Sequence, residues 1–282
     1  MAPGDGQIEF QQGATLIQVS VPSFSYKTTI SLPFDWQKMD DGTWEGFDNG
    51  TAYDKRKCEC TLFFTATQMA TFNDFHRTDG EGRAIDITMR MNANSGFHAF
   101  GPDKGDVGDF TVAVEIKNHG MVGESPFRYF KVDVVIYNTG SWPVYTPPAE
   151  VDDGDFTIGT ITNLRFPPGW FEPEAEYGTF MTLEENSTSQ WIDRSINYDW
   201  YETKFNMVCN ESKAAVLIAY LANTARVSTF TTTPPGGSYM FGRDVGASAQ
   251  YNVQMIQDKI VITHSRHNEF SLGLNLNYVS TV

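Results

Sequence analysis

Phe130-Lys131-Val132-Asp133-Val134-Val135-Ile136-Tyr137 alternates apolar and polar side chains, as a strand does when one face is buried and the other is wet. Phe270-Ser271-Leu272-Gly273-Leu274-Asn275-Leu276-Asn277-Tyr278 does the same in the second half of the chain. Working back from each run, the same landmarks recur in the same order. A Phe-Gly pair, Phe100-Gly101 or Phe241-Gly242, stands about 30 residues ahead, a spacing that marks a repeated unit. Before it comes a short helical stretch, opening near Thr67 or Ser212, and before that Tyr53-Asp54 or Tyr198-Asp199. Order and spacing persist where residue identity does not. The predicted fold is mainly β: two tandem β-sandwich or barrel modules, each with one short flanking helix.

The modules are expected at residues 16–138 and 158–282, with a polar, Gly-rich N-terminal arm over 1–15 and a Pro-rich, acidic linker over 139–157. In the first module, strands over Tyr26–Phe34 and Tyr53–Phe64 flank a long polar tip with two turn-forming runs, Asp40-Asp41-Gly42 and Asp48-Asn49-Gly50. Trp36, Trp44 and Phe47 fall on that tip. Trp191 falls on the corresponding tip between Tyr177–Leu183 and Ile196–Val208. Large aromatics on polar, turn-rich hairpins are typical anchors of contacts between proteins. Thr65 or Thr67 is the expected cap of the first helix, and Asn210 of the second, Glu211–Asn223, whose Glu211 suits the positive end of the helix dipole.

The 282 residues carry a formal charge of −15. That balance argues against a protein that grips nucleic acid from outside, because such a grip needs clustered Lys and Arg. It suits a surface past which a polyanion slides without sticking. Cys58, Cys60 and Cys209 make an odd count without a disulfide framework, so reduced, buried thiols and synthesis in a reducing cytoplasm are expected. The first residues lack the basic and apolar regions of a signal peptide, and no run approaches the roughly 20 apolar residues of a membrane helix.

Motifs of hydrolysis, nucleotide binding and zinc proteolysis are absent from the sequence. Asp109 with Glu115, or Glu184 with Glu185, would serve as paired carboxylates, yet such pairs arise readily among 35 acidic residues. His264 and His267, with the three cysteines, are the only metal-ligand types that cluster, and they read as turn and core residues. No cofactor, metal or catalysis is expected.

With its hairpins, helices and Asn- and Tyr-rich closing strands, the chain resembles the tail-tube module of long-tailed bacteriophages. The matching parts are Tyr26–Phe64, Thr67–Arg77 and the strand ending Val134-Val135-Ile136-Tyr137-Asn138, then Tyr177–Val208, Glu211–Asn223 and Leu272–Tyr278. The resemblance implies a structural protein of the virion tail, made in the host cytoplasm: a tail tube, distal tail or baseplate hub. It also implies a homotrimer whose six modules imitate a hexameric ring, stacked on neighbouring rings and tail-tip proteins around a passage for DNA. Under that reading Trp36, Trp44, Phe47 and Trp191 are candidate contacts between rings. Thr111, Glu115, Lys117, Ser271, Asn275 and Asn277 are candidates for the face lining the passage.

Two other classes remain open to the sequence. One is a β-sandwich recognition module that binds a receptor or glycan through Trp170, Phe171 and Trp191. The other is a hydrolase with dispersed carboxylates.

Overall fold

The computed structural model describes residues 7–20, 26–32, 34–38, 44–48, 55–78, 84–91, 96–123, 128–147, 149, 154–165, 172–176, 180–185, 188–193, 200–226, 228–235, 239–242, 245–266 and 269–282. For 34–36, 38, 44–48, 76–78, 84–86, 172–176, 180–185, 188–193, 200 and 265–266 it describes the backbone alone. The protein is mainly β with two short helices, as its alternating runs require.

The first half holds β1 (Gln7–Gln12), β2 (Thr15–Ser20), β3 (Lys27–Ser31), the hairpin β4 (Phe34–Lys38) and β5 (Trp44–Asp48), β6 (Lys55–Phe64), α1 (Ala66–Thr78), β7 (Ala84–Met91), β8 (Gly108–Val122) and β9 (Tyr129–Asn138). The second holds β10 (Phe156–Ile158), β11 (Ile161–Leu164), β12 (Glu172–Glu176), the hairpin β13 (Phe180–Glu185) and β14 (Thr188–Asp193), β15 (Trp200–Asn210), α2 (Glu211–Tyr220), β16 (Phe230–Thr233), β17 (Tyr251–Met255), β18 (Lys259–Arg266) and β19 (Glu269–Thr281).

Strand neighbours run β3-β6-β9-β8-β7-β1-β2 in the first half. In the second they run β12-β15-β19-β17-β16-β10-β11. These two seven-strand orders run alike, β18 being an eighth strand of the second half that pairs with β19 and β3, and a detached two-stranded hairpin sits between β3 and β6 as between β12 and β15. The landmarks correspond locally too. Gly101 (φ 103°) and Gly242 (φ 87°) both take a left-handed backbone that glycine adopts without a Cβ penalty. Each donates its N–H three residues back, to the His98 and Tyr239 carbonyls.

The helix starts follow from capping chemistry. Thr65 Oγ1 accepts from the Gln68 N–H (3.3 Å) while Gln68 Oε1 accepts from the Thr65 N–H (2.7 Å), a reciprocal capping box. Asn210 Oδ1 accepts from the Lys213 N–H at 2.9 Å. The second helix stops at Tyr220 and passes into a π-helical turn over Leu221–Ala225, rather than running regularly to Asn223.

Three sequence expectations need correction. Closed barrels do not form: the strands make one 15-stranded open sheet. Residues 7–15 are not a free arm, because β1 pairs with both β2 and β7 and buries Ile8 and Phe10 completely; residues 1–6 lie outside the described residues. Glu9, also fully buried, lies 2.7 Å from the Arg90 guanidinium. Finally, the described residues of 139–157 are no bare spacer. Trp142 packs on Phe100 and under the Arg56 and Lys104 cations, Tyr145 donates to the Glu211 carboxylate, and β10 already begins at Phe156.

The halves are stitched together between β3 and β18, an antiparallel ladder running Lys27↔Thr263, Thr28↔Ile262, Thr29↔Val261, Ile30↔Ile260 and Ser31↔Lys259. Two hydrophobic cores result, and the second recruits Ile30 of β3 and Leu32 just beyond it. Beside the ladder, Tyr26 stacks on His264 (4.9 Å), and His98 meets Phe270 edge-on (5.0 Å). The Tyr26 hydroxyl donates to Gly96 O (3.2 Å) and accepts the His98 N–H (3.0 Å). Burial pushes that phenol well above its ordinary pKa.

Candidate functional site

The continuous sheet turns one face into the two cores and the other outward. Registers define a row across the outward face: Ser271 opposes Thr263, Thr263 opposes Lys27, Lys27 opposes Glu59, Glu59 opposes Val135, and Val135 opposes Glu115. Directly opposed residues share a face. Ser271 and Glu115, two of the residues expected to line a passage, therefore stand on one face although they belong to different halves.

The other four fall as follows. Thr111 shares the parity of Glu115 along β8 and is exposed. Lys117 sits at the register shift between Ile116 and Asn118, where the regular alternation breaks. Asn275 opposes Lys204, and Asn277 opposes Glu202 on one side and Gln254 on the other. Asn277 is buried, so among the six it is the one withdrawn from solvent.

The charge of this face is mixed rather than uniformly acidic. Lys27, Lys55, Lys57, Arg90, Lys131, Lys204 and Lys259 occupy its register positions, with Lys117 at the edge, together with Glu9, Glu59, Asp109, Glu115, Asp133, Glu172, Glu174, Glu176, Glu202 and Glu269. Neighbouring charges offset one another. Lys57 Nζ lies 2.7 Å from Glu59 and Lys117 Nζ 2.8 Å from Glu115. The Lys57 ammonium beside Glu59 holds that carboxyl below its usual range. Tyr137 donates to Glu115 (3.0 Å), and burial, reinforced by that carboxylate, raises its phenol pKa. Further carboxylates fall in the sequence of the hairpin tips and the linker. Such a face offers alternating paired charges rather than a phosphate clamp.

The aromatic tip residues lie on strands whose backbone is described. Trp36 opposes Gly46, Lys38 opposes Trp44, Asp35 opposes Phe47, and Thr182 opposes Trp191. Their side chains lie outside the described residues, as do Trp170, Phe171 and His267. Cys58, Cys60 and Cys209 are buried free thiols, and burial raises the Cys58 pKa. Among the described residues no group of three or more His, Cys, Asp or Glu side chains is placed to hold a metal ion.

Sequence reasoning missed the residues that join the halves: Tyr26, His98, Tyr145, Glu211 and His264. The sequence marks Glu211 as a helix-dipole residue, yet it is buried, accepts from Tyr145 and lies 3.9 Å from His98 Nε2. Its only local signal was a carboxylate at a helix start, and nothing local named its partners. No helix among the described residues is long and apolar enough to cross a membrane. No protein-family model matches the chain, and no curated protein matches it either.

Proposed function

We propose that the chain is a structural, self-assembling protein of a phage tail, acting as tail tube, distal tail or hub component. Two copies of one β module lie in tandem, and three chains set six modules in a pseudo-hexameric ring. The outward polar face of the sheet lines a passage that DNA crosses without specific binding. The aromatic hairpin tips key one ring to the next, and the role requires no catalysis.

The observation that carries this reading is the shared strand order of the two halves, joined edge to edge into one sheet that remains open. A sheet that joins like modules through their edges, and still has edges to offer, is a unit for propagating the same contact. The mixed, internally paired charge of the polar face supports passage over capture, because lysines already neutralised by neighbours release few counterions on meeting phosphate.

Light scattering on the purified chain, followed by negative-stain imaging of the same sample, tests the proposal. Particles of three chains with six lobes around a hole are expected, alone or stacked. A monomer at every concentration, with no rings in the images, would overturn it.

A further inference from the structure

The β3·β18 ladder has a counterpart that a single chain leaves unmade. Corresponding strands fix corresponding residues. Phe64 and Cys209 directly precede the two helix caps, and they oppose Phe130 and Phe270. Through β9 and β19, Ile262 corresponds to His119, because these residues oppose Val132 and Leu272. Likewise Val261 corresponds to Asn118, and His264 to Met121. Through β6 and β15, Thr28 corresponds to Pro173 and Thr29 to Glu174.

In the second half, the strand edge formed by β18 is covered by β3. In the first half, the matching edge is the distal part of β8. Its pairing with β7 ends at Val114, and among the described residues no strand covers its edge beyond that point. The strand matching β3 is β12, which pairs only with β15 among the described residues.

Burial shows the same asymmetry. Ile260, Ile262, His264 and Phe270 are buried at the internal junction. At the distal end of β8 and the start of β9, His119 is exposed, Met121 is 57% exposed, Tyr129 is 45% exposed and Phe130 is only partly buried. Charge at the edge is mixed: in the shared register Glu172 would line up with Lys131 across Gly120, whereas Glu174 would line up with Asp133 across Asn118.

We propose that β12 of one copy of this chain pairs antiparallel with the distal half of β8 of the next copy, in the register His119↔Pro173, Asn118↔Glu174 and Gly120↔Glu172. This contact repeats the internal β3·β18 junction between chains and so makes the sheet continuous around a ring. It rests on the ring reading above and specifies its subunit contact. The contact is heterologous, edge to different edge, so it propagates instead of stopping at a pair, and it closes into a ring where its rotation permits.

Pro173 shapes the contact. The Leu32 N–H donates to Asp258 O, so alternation along β3 points the Thr28 N–H at β18 too. Pro173, at the matching place, has no N–H to give. The intermolecular ladder is one donor poorer than the internal one. The same proline blunts β12 against indiscriminate strand pairing, the usual use of proline at a sheet edge.

Cysteine cross-linking of the full chain tests the register. Asn118→Cys and Glu174→Cys would stand opposite one another at the position of the Val261↔Thr29 pair, close enough for a disulfide. Mixing the two single variants under mild oxidation should give a covalent dimer on a non-reducing gel. The double variant should give a ladder ending at the ring number, and each single variant alone should give none. Met121→Cys mixed with Glu174→Cys serves as the out-of-register control and should give no dimer. Rings that form without the Asn118/Glu174 cross-link would overturn this contact and leave the ring reading standing. Absence of any assembly in the unmodified chain would overturn both. As an independent readout, Glu172→Lys should weaken ring formation, and adding Lys131→Glu should restore it. Ring formation unaffected by the first substitution would also sink the contact.

Discussion

Arg56 shows how much single residues carry near the junction. Its guanidinium is almost wholly buried and makes a two-pronged contact with Asp103 (2.6 and 2.7 Å), donates to Phe100 O (2.7 Å) and lies over the Trp142 ring. A buried cation stripped of its carboxylate is costly, so Asp103→Asn should lower unfolding free energy by about 3 kcal/mol in a urea titration. An unchanged midpoint would show that Phe100 O and Trp142 suffice. Gly105 makes a second case. With φ at 76° and the Tyr145 ring against the place a Cβ would occupy, Gly105→Ala must strain the backbone and displace the ring that serves Glu211. Tyr26 gives a pH signature. Its phenol pKa is raised in the folded state, so the stability it contributes is complete below the ordinary tyrosine pKa and is lost as pH rises through the folded value. The wild-type chain should therefore destabilise in alkali above about pH 10. Tyr26→Phe should be less stable at neutral pH by about 1 kcal/mol, with a shallower alkaline loss. Equal alkaline slopes in the two proteins would refute the assignment.

At the scale of elements, the two helices and the strands around them were legible because their signals are local. Capping residues, alternation in Phe130–Tyr137 and Phe270–Tyr278, and the Phe-Gly turns each report on their own neighbourhood. What stayed hidden was pairing between distant segments. Nothing in Lys27–Ser31 names Lys259–Arg266, since any alternating strand presents the same row of backbone groups. β1 was read as arm because Ile8 and Phe10 are embedded in Gly-, Gln- and Glu-rich sequence, and the buried charge of Glu9 disguised a core strand until Arg90 was found beside it. The linker misled for a similar reason: its prolines spoke for a spacer, while Trp142 and Tyr145 act through partners far away in sequence. For α2, Asn210→Ala removes an observed cap and should cost about 1 kcal/mol. A change within experimental scatter would mean that burial of Leu217 and Ile218 fixes the helix start without the cap.

For the whole molecule, the decisive matter is that two cores share a seam. Ile30 and Leu32 belong to the second core though they lie in the first half of the sequence. Cutting the chain with a protease site inserted at residues 150–153 should therefore leave the halves co-eluting on gel filtration, held by β3·β18 and the buried contacts around Glu211. Separation of the pieces in native buffer would show that the covalent linker, not the ladder, joins them. The candidate passage face was only partly legible: alternation marked Glu115 and Ser271 as outward, but the row linking them crosses four other strands whose register no sequence pattern states.

The β3·β18 ladder also sets a timetable for synthesis. β3 leaves the ribosome long before β18 exists, by about 10–50 s at ordinary elongation rates. Throughout that interval the first half can gather its own core, yet the edge that will receive β18 stays bare, with Ile30 and Leu32 lacking the core they belong to. A nascent chain in this state is vulnerable to pairing with another nascent chain on the same message, and crowding of ribosomes along that message sets the hazard. Slow translation between Ser31 and Lys259 should therefore lower the yield of correctly joined protein, whereas slow translation upstream of Lys27 should not.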